Sequence, residues 1–79
     1  MERAVDRGTL NGHLALAERQ IASDWADVER QEAMVEQLEA SGHDTEAARN
    51  LLQQFVKLLA MDVADRDSIL TELYGSTMH

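Results

Sequence analysis

The chain has 79 residues, no cysteine and no proline, and its fifteen acidic residues outnumber seven basic ones to give a formal net charge of −8. Disulfides, thiolate metal sites and cysteine nucleophiles are therefore excluded, and a chain this short holds at most one domain with little core to spare. The cations Arg3, Arg7, Arg19, Arg30, Arg49, Lys57 and Arg66 are scattered, each with an acid nearby, which disfavours nucleic acid and anionic membrane as partners.

Residues 1–9 mix charges around Gly8 and offer no apolar face, so they read as a flexible leader that lacks the apolar core of a signal peptide. No unbroken apolar run exceeds Leu58-Leu59-Ala60-Met61, far too short to span a bilayer. The expectation is a cytoplasmic protein.

A first helix is expected over about residues 11–41, with Thr9 or Asn11 as its cap and Gly12 weakening its first turn. Leu14, Ile21, Val28 and Val35 recur at every seventh position, as in a coiled coil, with Ala17, Trp25 and Leu38 on or beside that stripe. Arg19, Glu29, Arg30, Glu36 and Gln37 occupy the opposite face, as a solvated helix surface requires.

The stretch Ser41-Gly42-His43-Asp44-Thr45 carries stop and start signals together. Gly42 can take the left-handed conformation that closes a helix, and Asp44 or Thr45 can cap the next one. His43 is expected to pack its ring over the end of the first helix or to bond the following cap. A second helix then follows over about residues 45–74. Its apolar face is broad: Ala48, Leu51, Leu52, Phe55, Val56, Leu58, Leu59, Val63, Ile69, Leu70 and Leu73 exceed what a narrow two-helix seam uses. Gly75 should end this helix, leaving 76–79 as a flexible tail. The fold class is all-α, an antiparallel two-helix hairpin formed by residues 10–75.

Leu14-Ala15-Leu16-Ala17-Glu18-Arg19, the turn Gly42-His43-Asp44-Thr45 followed by Ala47-Ala48, and the closing Asp65-Arg66-Asp67 give the chain a likeness that covers residues 12–73. It resembles a group of short, mostly uncharacterised bacterial helical-hairpin proteins. The resemblance implies the hairpin fold and brings no activity, cofactor or site with it.

Folding the two arms about His43 sets Val35 opposite Leu51, Gln31 opposite Phe55, Val28 opposite Leu58 and Asp24 opposite Asp62. Asp62 interrupts the apolar stripe of the second helix, with Arg66 one turn away at ion-pair spacing. Three readings are open for Asp24, Asp62 and Arg66. The foremost is that the seam opens to solvent at this level, since acids are seldom buried. The second is a polar layer that fixes register or oligomeric state. The third is a divalent-cation site or a catalytic carboxylate pair. His13, His43 and His79 stand in no ligand spacing, and the hydroxyl residues have no positioned base. No cofactor, no metal site and no enzymatic activity are expected.

A lone hairpin of this size comes out near break-even between apolar burial and ordering entropy, so a partner is expected. The foremost expectation is a homodimeric four-helix bundle serving as a protein–protein interaction or scaffold module. Its interface would comprise Trp25, Val28, Leu51, Phe55, Leu58, Val63 and Leu70. The alternative is a small regulatory binder that captures a helix of another protein through the same apolar strip.

Overall fold

A computed structural model describes residues 6–74, which form α1 (Arg7–Ala40) and α2 (Glu46–Tyr74), packed against each other as a hairpin. Residues 1–5 of the expected leader, Gly75 and the tail 76–79 lie outside the described residues. Neither helix is long and apolar enough to cross a membrane.

α1 begins four residues before its expected start. Asp6 is its N-cap: Oδ1 accepts from the backbone N–H of Gly8 (2.6 Å) and Thr9 (3.3 Å), and Oδ2 accepts from the Thr9 hydroxyl (2.9 Å). A carboxylate that satisfies two orphan amides outweighs the glycines in the first turns. Residues 7–9 therefore belong to the helix and not to a leader.

At the other end of α1, Gly42 takes φ +75°, the left-handed region that a side chain penalises. The His43 N–H reaches back to the Leu38 carbonyl (2.9 Å) and the Gly42 N–H to the Glu39 carbonyl (3.0 Å). This is the paired-bond closure of a Schellman motif. Asp44 Oδ1 then accepts from the Glu46 N–H (3.0 Å), and the Thr45 carbonyl accepts from the Arg49 N–H (2.8 Å), which starts α2. An Arg49–Glu39 ion pair spans the turn, and Arg49 Nε donates to the Thr45 hydroxyl (2.9 Å). His43 thus contributes its backbone; its ring is exposed and bonds neither helix end.

Burial along α1 follows two interleaved sevens: Leu14, Ile21, Val28 and Val35, and Leu10, Ala17, Asp24, Gln31 and Leu38 are all buried or half-buried. On α2 the matching rows are Leu52, Leu59, Arg66 and Leu73, and Ala48, Phe55, Asp62 and Ile69. Such spacing keeps one stripe facing its neighbour along the whole length. The core is centred on Ile21, Val28 and Leu59, with Leu52, Phe55 and Val63 packed against it. Gln31, which interrupts the stripe, is buried and donates its amide to the Ala48 carbonyl of α2 (2.9 Å). At the open end Arg7 donates to the Leu73 carbonyl (3.1 Å), and its guanidinium lies 5.5 Å from the Tyr74 ring centroid. A cation there suits the negative end of the α2 dipole.

The hairpin is long and thin. Its radius of gyration is 17.8 Å, where a compact domain of this length has about 12 Å. It exposes 5722 Å², against about 4,800 Å² for a compact protein of its mass.

Candidate functional site

Two features stand out once the helices are packed: a carboxyl pair in the seam and an uncovered apolar edge beside it. Asp24 sits on the seam stripe of α1 and is only 1% exposed, the one large side chain sealed from solvent among the described residues. Gln20, one turn earlier, donates its amide to Asp24 Oδ1 (3.0 Å). Asp62 faces Asp24 from α2, within hydrogen-bonding reach of its carboxyl. Oδ2 of each acid is buried and has no hydrogen-bond partner. Two bare carboxylates cannot donate to one another, so a bond between them requires a proton. The Asp62 carboxyl is accordingly held above the ordinary range, first by the hydrogen bond with Asp24, then by burial, then by the charges of Asp24 and Asp65.

Asp24 is closed off from solvent, which corrects for that acid the expectation that the seam opens to water at this level, while Asp62 is half-buried and borders a surface groove. Arg66 does not join the layer. Its Nε donates to the neighbouring Asp67 (3.0 Å), not to Asp62. The layer holds Gln20, Asp24 and Asp62, and Gln20 was legible as the residue four before Asp24, a spacing that lets an amide meet a carboxylate on one helix. Among the described residues, no group of three or more His, Cys, Asp or Glu side chains converges to hold a metal ion.

The seam divides the hairpin surface into two edges. In an antiparallel pair, residues that follow the row Leu10, Ala17, Asp24, Gln31, Leu38 on α1 and the row Ala48, Phe55, Asp62, Ile69 on α2 share one edge, and residues that precede the rows Leu14, Ile21, Val28, Val35 and Leu52, Leu59, Arg66, Leu73 share the other. The Glu39–Arg49 pair marks the first edge, which also carries Trp25, Val56, Val63 and Leu70. Gln20 and Asp65 mark the second, where with Leu16, Ala17 and Asp62 they line a groove of about 300 Å³. Met34, Leu51 and Leu58 lie along that same edge, with Met61 beside them, and all four are exposed.

The residues expected to form one partner surface are thereby separated. Val28 is only 3% exposed and belongs to the core within the chain, and Phe55 packs against that core. Trp25, half exposed, lies on the first edge with Val63 and Leu70, while Leu51 and Leu58 lie on the second. No single flat contact covers both sets. The edges also differ in charge. Along the first, Glu18, Glu29 and Glu32 flank Trp25 on α1; the second carries fewer acids, Asp27 paired with Arg30 and Asp65 and Glu72 on α2, among Gln20, Ser23 and Gln54.

The chain matches no family model, no curated protein and no solved structure.

Proposed function

We propose that the chain is a non-enzymatic protein–protein interaction module that works as a homodimer, two hairpins joining into a four-helix bundle through the edge bearing Leu51 and Leu58. The observation that carries this reading is the concentration of exposed apolar side chains there. Leu16, Met34, Leu51, Leu58 and Met61 are uncovered on the less charged edge of a chain with net charge −8. Two copies of so acidic a chain repel except where charge is sparse.

Sedimentation velocity at tens of micromolar tests this. The wild type is expected to run as a dimer and Leu58→Glu as a helical monomer, because a charge in the middle of the contact cannot be solvated once it is covered. A wild type that stays monomeric at those concentrations overturns the proposal.

A second reading draws on the other edge. Trp25 is 52% exposed beside Val56, with Glu18, Glu29 and Glu32 around it. An aromatic anchor rimmed by acids suits the apolar face of a basic amphipathic helix from another protein. Titrating such a helix into the protein should shift Trp25 fluorescence in wild type and in Leu58→Glu alike.

A further inference from the structure

Asp24 and Asp62 place two acids in the middle of a seam where no cation among the described residues pairs with either. On α1, Gln20 supplies a neutral amide to Asp24, and Asp27, the next acid along, is taken by Arg30. On α2, Asp65 adds a further negative charge one turn from Asp62, and Arg66 turns away to Asp67. Uncompensated charge beside a sealed carboxylate is costly, and a shared proton is the remedy that the surrounding side chains leave.

We propose that the Asp24–Asp62 layer is a proton-operated latch: one proton held between the two carboxyls closes the middle of the hairpin, and its loss loosens the seam there. In the closed form the O–H of one acid donates to the carboxylate of the other, while Gln20 holds Asp24 Oδ1 from behind. Loss of the proton leaves two carboxylates facing each other, with Asp24 wholly shut off from water. Asp62 also lines the groove between Leu16, Ala17, Gln20 and Asp65, so it relieves the repulsion by turning outward into that groove, and water follows it between the helices.

The direction of the response follows from the Asp62 carboxyl, which the fold raises above its ordinary value through the bond with Asp24. The folded chain holds the proton more tightly than the unfolded one. The latch therefore contributes fully below the pH at which a free aspartate titrates, about 4, and its contribution is lost as pH rises through the folded-state value. The latch lies within one chain and does not depend on self-association.

Melting followed by circular dichroism between pH 4.5 and 8 tests the proposal, comparing wild type with Asp62→Asn. The asparagine amide keeps a donor toward Asp24 at every pH. Its melting temperature relative to wild type should climb by a few degrees as pH rises, and the wild type alone should lose the latch across this window. Carboxyl-carbon NMR on the wild type should show the pair titrating in two coupled steps, the later one above the usual aspartate range. A difference between variant and wild type that is flat or shrinks with pH overturns the latch. So does a wild-type pair whose carboxyls both titrate in the ordinary range.

Discussion

Asp24 and Asp62 oppose each other carboxyl to carboxyl at a level where a two-helix seam ordinarily carries apolar side chains. Replacing a buried polar pair by well-packed apolar residues is often neutral or stabilising, whereas removing one partner strands the other. Asp24→Leu with Asp62→Leu is therefore expected to melt higher than wild type at pH 7, with a gain that shrinks as pH falls and the native pair takes up its proton. Thermal denaturation across pH checks this.

Gly12 and Gly42 should respond in opposite directions to alanine. Gly12 lies inside α1 with open space where a Cβ would go, so Gly12→Ala should add about 1 kcal/mol of stability. Gly42 has a positive φ, and Gly42→Ala should remove about 1–2 kcal/mol because a Cβ crowds the left-handed backbone. Urea unfolding of the two variants gives both values.

Val28 and Leu59 share one cluster across the seam. Val28→Ala should cost about 2 kcal/mol and Leu59→Ala about 3 kcal/mol. The double variant should fall short of the sum by about 0.5 kcal/mol or more, because each truncation enlarges a space that the other already lines. A double-mutant cycle by chemical denaturation measures the shortfall.

Asp6 should make the start of α1 sensitive to acid. Its carboxyl is held below the ordinary value by the bonds from the Thr9 hydroxyl and the Thr9 and Gly8 amides. A depressed acid contributes above its unfolded value and loses that contribution as pH falls through the folded one. Asp6→Asn keeps a capping oxygen without the charge, and should flatten the loss of α1 helicity below about pH 4. Helicity against pH for the two proteins shows the difference.

The hairpin was legible because each of its causes is local: a seven-residue apolar repeat, a glycine at the left-handed turn position, and capping side chains just after it. Folding about His43 even brought Asp24 and Asp62 to the same level. Their burial was not legible, since the rarity of buried acids says nothing of a proton shared across two helices. Asp6 was hidden by Gly8 and Gly12, which lower helix propensity just where a cap more than compensates. Arg66 was assigned to Asp62 by spacing, but its rotamer took the adjacent Asp67. The division of the apolar residues between two edges needed the packed register, because a single helix shows a broad face whether one neighbour or two will cover it.

Trp25 is the chain's single tryptophan, and it stands on the opposite edge from Leu58. The molecule thus carries its own optical label for which side is occupied. A contact through the Leu58 edge leaves the indole in water and its emission unmoved, whereas a helix laid along the other side dries the ring and shifts its emission to the blue. One fluorescence spectrum, read beside a measure of mass, separates self-association from capture of a foreign helix without altering a residue.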